Sequence, residues 1–254
     1  MFTQEPRCIY SRNQLGEVIC QLQFPEILSI NTTAPAEFQE AIREEFSGYT
    51  ARKEPAVLKP GTPPPQPGMN YQFSSADGVW RVNLTSRFIS LATSRYTCWE
   101  DFAAKLDKPL AAFIRVYRPA YFERVGLRYL NFISRNALEL NHTPFNLLIA
   151  PAYLGLLQDP EISETAATRA TVDADVAIRA GCRAKIHAGP GMVRRPGHTD
   201  AEPKFILDLD LYMPGKLALN LSAGALHTLH AQAFPIFRAA ITDTLHEAME
   251  PTQV

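Results

Sequence analysis

The sequence has almost no net charge, because 25 lysines and arginines are balanced by 26 aspartates and glutamates, giving a formal charge of -1. Such a chain has no overall attraction to nucleic acid or to an anionic membrane. Its apolar runs are far shorter than the roughly 20 residues that cross a bilayer. The start, Met1 to Cys8, lacks the apolar stretch of a signal peptide. We therefore expect a cytoplasmic protein with no membrane partner.

Cysteine is scarce and widely scattered, at Cys8, Cys20, Cys98 and Cys182. These positions form no CxxC pair and no spacing typical of a metal site. Cys20 and Cys182 fall at apolar positions of strand patterns, where a free thiol packs as a small hydrophobic group. The cysteines thus favour a reducing compartment, and the sequence predicts neither a metal nor another cofactor.

Catalytic motifs are also missing: there is no GxSxG elbow, kinase motif set or dinucleotide fingerprint. Gly189–Gly191 is not a phosphate loop, because it lacks the Lys-Ser/Thr pair and leads into a strand. His227 and His230 share a predicted helix, but no third zinc ligand accompanies them. Cys182 and His187 fall on opposite faces of a strand and should not meet. These absences argue against an enzyme, and we predict no catalytic residue.

Residue spacing predicts which side chains are buried. Alternation predicts buried positions in two strands, at Val18, Cys20, Leu22 and Phe24 and at Phe205, Leu207, Leu209 and Leu211. Helical spacing predicts apolar stripes at Phe38, Ile42 and Phe46 and at Trp99, Phe102, Leu106, Leu110, Phe113 and Tyr117.

The secondary structure predicted from residue spacing consists of the same order of elements twice, which is strand, helix, two strands and a long helix. In the first half the elements are a strand at Glu17–Phe24, a helix from Pro35, strands at Trp80–Leu84 and Ile89–Leu91, and a long helix opened by a capping box at Thr97–Glu100. In the second half they are a strand at Glu123–Phe132, a helix opened by Thr143 and Pro144, a polar connection from about Gln158 to Asp175, strands at Cys182–His187 and Phe205–Leu211 around a Gly/Pro-rich tip, and a helix from Leu226 to Met249.

This order predicts an α+β fold in one domain, residues 1–254, with β-α-β-β-α halves at about 15–119 and 122–251. Neither half has enough strands to be stable alone, so the halves should join in one antiparallel sheet with the long helices on one face. Residues 53–68 are rich in proline and favour an extended conformation. We interpret them as a surface loop, with a ligand for a proline-binding module as the alternative.

Two segments resemble a known group of proteins. Leu15–Pro25 reads LGEVICQLQFP and Phe122–Asn131 reads FERVGLRYLN; Leu207–Asp210 and Leu226–His230 carry further similarity. In these segments the chain resembles a sporadically distributed bacterial family of similar length that has no assigned function. The resemblance covers nearly the whole chain. It implies a bacterial, cytoplasmic protein and supplies no catalytic residues.

The candidate binding surface is the polar face of the predicted sheet. The side chains singled out there are Arg81, Arg124, Arg128, Lys185, His187, Asp208 and Asp210. Arg124 and Arg128 flank Gly126, where a missing side chain would leave a gap in which two guanidinium groups grip a carboxylate or phosphate. The structural alternative is that these residues form cross-strand ion pairs, with Lys185 or Arg183 neutralising the aspartates.

The leading hypothesis is a non-catalytic protein that recognises a protein partner, within a mobile or defence-related bacterial cassette. One alternative is small-molecule binding in a groove between the halves. Another is a hydrolase that uses Asp208 and Asp210, with His187 nearby. Nucleic-acid binding is disfavoured, because the outward positions beside the arginines supply no aromatic rings for base stacking.

Overall fold

The computed structural model describes residues 2–53, 68–193 and 202–253. Within these residues, nine strands form one sheet in the order β3-β4-β5-β6-β2-β7-β10-β9-β8, and β1 pairs with β11 separately. The strands are β1 (Cys8–Tyr10), β2 (Leu15–Gln23), β3 (Gly48–Lys53), β4 (Met69–Ser74), β5 (Trp80–Leu84), β6 (Phe88–Thr93), β7 (Phe122–Ile133), β8 (Val172–Ala177), β9 (Arg183–Met192), β10 (Pro203–Leu217) and β11 (Pro251–Gln253). The pairings β3–β4, β4–β5, β5–β6, β2–β6, β9–β10 and β8–β9 are antiparallel. The α+β class and the antiparallel sheet are confirmed.

The helices differ in length and regularity. They are α1 (Ser29–Thr32), α2 (Ala36–Ile42), α3 (Trp99–Tyr117), α4 (Pro151–Leu154), α5 (Ser222–Ala240) and α6 (Asp243–Ala248). Helix α3 buries Trp99, Phe102, Leu106 and Phe113 of the predicted stripe, while Leu110 and Tyr117 remain partly accessible. It begins differently from the prediction, however: the N-cap is Cys98 without a side-chain cap, and Thr97 donates a hydrogen bond to Asp101 at 2.7 Å.

Alternation along the strands places apolar side chains in the core. In β10, Phe205, Leu207, Leu209 and Leu211 are at most 1% exposed, while the intervening aspartates remain partly accessible. In β2, Val18, Cys20 and Leu22 are fully buried in the same way. Because this period of two is a local property of an extended chain, the sequence predicted these buried positions correctly.

Helical structure in the second half departs from the prediction. The segment after Thr143 forms 3-10 turns at Phe145–Leu147 and Gly155–Gln158 around the four-residue α4, and not a regular helix. The expected helix from Leu226 to Met249 is two helices. It breaks where Ile241 forms a β-bridge with Ile149, and Thr242 then caps α6 through its side chain.

Five of the strands in the described part of the chain were not predicted: the separate pair β1 and β11, and β3, β4 and β8 of the large sheet. Strands β3 and β4 flank the proline-rich segment, residues 53–68. Of this segment the structure describes Lys53, which ends β3, and Gly68, which directly precedes β4. The interpretation of that segment as a loop falls on 54–67, outside the described residues. Strand β8 overlaps the expected polar connection, and β9 and β10 extend into the expected tip, whose residues 194–201 are also outside the described part.

The chain divides into two compact units. The first contains Met1–Glu17, Arg128–Tyr212 and His227–Val254, and the second contains Val18–Leu127 and Met213–Leu226. We refer to them as unit 1 and unit 2. Within the described part of the chain, none of the helices has the length and apolar character needed to cross a membrane.

Candidate functional site

Outward-pointing charged side chains are concentrated on neighbouring strands of unit 1. The register places His187 of β9 between Asp173 of β8 and Asp208 of β10. It places Lys185 between Asp175 and Asp210 in the same way. Directly opposite residues of antiparallel strands share a face, so these rows lie on one side of the sheet. The term charged face is used for Arg128, Asp173, Asp175, Arg183, Lys185, His187, Asp208 and Asp210.

Arg128 and Asp208 form a bidentate ion pair on this face. Arg128 donates from Nε to Asp208 Oδ1 at 2.7 Å and from Nη2 to Oδ2 at 2.5 Å. The Arg128 side chain is 43% exposed and that of Asp208 only 14%. The hydrogen bonds to Asp208 raise the pKa of Arg128 above its usual value. Both oxygens of Asp208 therefore already have a strong partner.

This pair changes two interpretations made from the sequence. The guanidinium fork of Arg128 faces Asp208, so it does not stand open for a carboxylate or phosphate. Asp208 is neutralised by Arg128 of β7 and not, as expected, by Lys185 or Arg183. The same pairing removes support for Asp208 as an acid or base of a hydrolase, because its oxygens are held by a permanent cation.

Strand β8 supplies two further carboxylates of the charged face, Asp173 and Asp175. Asp173 Oδ1 lies 2.6 Å from His187 Nδ1, and this hydrogen bond lowers the pKa of Asp173. Asp175 contacts Arg183 Nε at 3.0 Å and accepts hydrogen bonds from the Tyr212 hydroxyl at 3.0 and 3.1 Å. Burial would raise the pKa of Asp175, but the bonds from Tyr212 and Arg183 outweigh it and lower the pKa. Charges on this surface are thus held in place by cross-strand contacts.

Sequence reasoning missed Asp173 and Asp175, because it placed β8 in a connection, and Tyr212, because the predicted strand ended at Leu211. The alternation of Val172, Ala174 and Val176 with the two aspartates was the available signal. Lys185, which was predicted, is exposed, with its Nζ 5.7 Å from the centre of the Tyr212 ring. A shallow hollow of about 300 Å³ is lined by Lys185, Asp173 and Asp175 among others.

Two of the predicted site residues, Arg81 and Arg124, belong to unit 2. Arg81 lies on β5 opposite Ser74 and Ala92. The guanidinium of Arg124 occupies the space in which a side chain at Gly126 would stand. The expected gap at Gly126 is therefore filled by the neighbouring arginine, and that part of the prediction is wrong.

The histidines near the last helices make hydrogen bonds to tyrosines. His230 Nδ1 lies 2.9 Å from the Tyr129 hydroxyl, and His246 Nδ1 lies 2.8 Å from that of Tyr10. Within residues 2–53, 68–193 and 202–253, no group of three or more His, Cys, Asp or Glu side chains is arranged to hold a metal ion. These contacts give both imidazoles a structural partner.

A larger cavity lies elsewhere in unit 1. It has a volume of about 600 Å³ and is lined by Asn13, Gln14, Leu15, Gly16, Phe132, Ser134, Asn136, Ala137, Val193, Glu202 and Lys204. Glu202 accepts hydrogen bonds from the Ser134 hydroxyl at 2.6 Å and from the backbone N–H of Asn136 at 2.9 Å. Lys204 Nζ is 3.9 Å from the same carboxylate, and both side chains are at most 15% exposed. The ring of Phe132 covers the backbone at Gly16, where any side chain would collide with it.

Comparison with known proteins gives no further assignment. No family model matches this chain, and no curated protein matches it significantly.

Proposed function

We propose that this chain is a non-catalytic binding protein that recognises a partner protein through the charged face of unit 1. The observation that carries the proposal is that charged groups on this surface are fixed by cross-strand contacts, such as the bidentate pair of Arg128 and Asp208. Charges held on rigid strands are already in the geometry of binding, so they select a partner at little cost in side-chain entropy.

The charge of the face defines the partner's chemistry. Its carboxylates are Asp173, Asp175, Asp208 and Asp210, and its permanent cations are Arg128, Arg183 and Lys185. Asp173, on the outermost strand β8, has a side chain that is 66% exposed. A protein surface with basic groups opposite β8 complements this pattern, and complementary charge mainly determines specificity and the rate of association.

Reversing charges on this face should change partner capture in opposite directions. In pull-downs from extracts of the source organism, Asp173→Lys should weaken capture of a specific protein at least about tenfold, or about 1.4 kcal/mol, because it repels a basic partner. Lys185→Glu adds negative charge to the face and should strengthen capture. Both residues are solvent-accessible, so the melting temperature should change little. Glu161→Lys, at an exposed position of unit 1 outside the sheet, is the matched control and should capture the partner normally.

The captured protein must then be purified and its affinity for each variant measured directly. Equal affinity for the wild type, Asp173→Lys and Lys185→Glu would contradict the proposal, as would loss of binding in the Glu161→Lys control alone.

A second candidate function is small-molecule binding, favoured by the 600 Å³ cavity of unit 1. This volume lies within the range typical of ligand pockets, about 300–1,000 Å³. Glu202 and Lys204 balance each other's charge, while Phe132 and Leu15 supply apolar surface. The suitable ligand class is therefore a neutral, polar compound with a flat apolar part.

Ligand-observed NMR with pools of neutral heterocyclic compounds tests this second function. Ala137→Trp places a large ring at the cavity wall and should abolish the signal of any binder. Ala177→Trp, at an exposed position of β8 outside the lining, should leave binding unchanged. Binding that survives Ala137→Trp, or a complete lack of binders, would rule out this cavity as the site for that class.

The finer points of fold and origin are also proposals. Strands β2, β6, β5 and β4 follow one another in one direction of the sheet order, and β7, β10, β9 and β8 do so in the other. A long helix follows β6 and β10 alike. This order supports a duplication with halves at about 15–119 and 122–251. Motifs in β2 and β7 support membership of the sporadic bacterial family, and four free cysteines support a cytoplasmic location.

A further inference from the structure

Strand β3 of unit 2 is exposed along almost its whole length. It stands at one end of the strand order and pairs with β4. Every residue from Tyr49 to Lys53 is exposed. An edge strand presents a row of backbone N–H and C=O groups that can pair with another chain. Sheet edges of this kind are common sites of association between protein molecules.

An aromatic row reaches this edge and ends there. Phe73 and Tyr71 on β4 are 0% and 5% exposed, whereas Tyr49 on β3 is 43% exposed. The ring centre of Tyr49 lies 5.5 Å from that of Phe73 and 6.5 Å from that of Tyr71, with the two tyrosine rings nearly parallel. Apolar surface of the core therefore continues to the edge and is left half open at Tyr49.

We propose that β3 pairs antiparallel with β3 of a second copy of this chain, about a two-fold axis at Ala51. The two edges then form one continuous sheet. Ala51 faces Ala51 of the second copy, Tyr49 faces Lys53 of the second copy, and Thr50 faces Arg52 of the second copy. The interface is isologous, as expected for a closed dimer.

This register keeps the cations of the strand from facing each other directly. Each Lys53 stands beside a Tyr49 ring, which its aliphatic stem can cover while its ammonium remains in water. Each Arg52 faces an uncharged Thr50, so no two cations are directly opposite each other. Like charges directly opposite across strands would be destabilising. The sequence GYTARK is therefore compatible with pairing to itself.

The position of the axis follows from the faces of the sheet. The buried faces of both copies lie on the same side only if the two-fold axis is perpendicular to the sheet. One residue must then face its own counterpart in the second copy, with the axis midway between the two. An axis at Thr50 would leave Lys53 beyond the paired stretch. An axis at Ala51 pairs the whole exposed segment from Tyr49 to Lys53 and places the smallest side chain at the centre.

The competing interpretation is that Arg52 and Lys53 protect the edge, since charged side chains often prevent edge pairing. Disulfide cross-linking distinguishes the two. Directly opposed residues of antiparallel strands have Cα atoms about 4.5–5.5 Å apart, within the range for a disulfide. Under mild oxidation Ala51→Cys should therefore give a covalent dimer.

The register gives internal controls for that experiment. Thr50→Cys alone and Arg52→Cys alone should not cross-link. In each case the two introduced cysteines of the dimer are two positions apart along the strands and do not face each other. A mixture of the two variants should cross-link, since Thr50 opposes Arg52. The wild type, which carries only the four native cysteines, is the control for cross-links that do not involve β3. Cross-linking of all these variants to the same extent, or of none, would overturn the proposal.

Charge substitution supplies an independent readout by sedimentation velocity. The wild type should sediment as a dimer. Tyr49→Lys places two lysines opposite each other at both ends of the interface and should give a monomer. Adding Lys53→Glu to Tyr49→Lys replaces this repulsion with attraction and should restore the dimer. A monomeric wild type, or a dimer indifferent to Tyr49→Lys, would contradict β3 pairing.

Discussion

Replacing Arg238 with alanine should lower the free energy of unfolding by about 2–3 kcal/mol. The change removes hydrogen bonds to charged groups, which contribute about 1.5–3 kcal/mol each, and part of this loss is offset because the acidic partners regain hydration. The Arg238 side chain is 8% exposed. It donates to Glu5 at 2.6 Å and to Asp243 at 2.5 Å, and so fixes the N-terminal segment and the start of α6 against α5. Burial would lower the pKa of Arg238, but the bonds to Asp243 and Glu5 outweigh it and raise the pKa.

Denaturant unfolding of Arg238→Ala and Arg238→Met measures this effect. Methionine keeps much of the apolar volume of the arginine side chain but carries no charge. The stability difference between Arg238→Met and Arg238→Ala therefore measures packing, and the difference between the wild type and Arg238→Met measures the charged contacts. Arg43→Ala is the matched control, because Arg43 is 66% exposed and lies 3.9 Å from Glu40. It should change stability by no more than about 0.5 kcal/mol. Wild-type stability in Arg238→Ala would refute the structural role assigned to this arginine.

Breaking the pair of Arg128 and Asp208 should have the second largest effect on stability. A double-mutant cycle with Arg128→Ala and Asp208→Ala should give a coupling energy of about 1 kcal/mol, since the arginine is partly screened by water but the contact is bidentate. Arg128→Ala alone should cost more than the double variant. It leaves the largely buried carboxylate of Asp208 without its cation, whereas the double variant does not.

The same cycle on Glu40 and Arg43 provides the comparison, because both side chains are more than 60% exposed and the contact is long. Its coupling energy should be close to zero. If the Arg128 cycle also gives zero, the bidentate pair does not hold the charged face in place, and the proposed binding surface loses its rigid framework.

The sequence by itself determined the local properties of this protein. The period of two in β2 and β10 identified their buried residues correctly, and the i, i+4 spacing of Phe38 and Ile42 identified the buried side of α2. These patterns could be read because strand and helix geometry repeats within a few residues. They were sufficient to predict the α+β class and the antiparallel sheet.

Tertiary structure alone decided the partners of the charged groups. Arg128 is paired with a residue 80 positions away and Arg238 with one 233 positions away, distances at which residue spacing carries no information. The bridge between Ile149 and Ile241 likewise marks where the last predicted helix breaks, although the sequence there continues an apolar helical stripe. Contacts between distant segments compete with local propensity and override it, because they bury groups that a single helix or strand cannot bury alone.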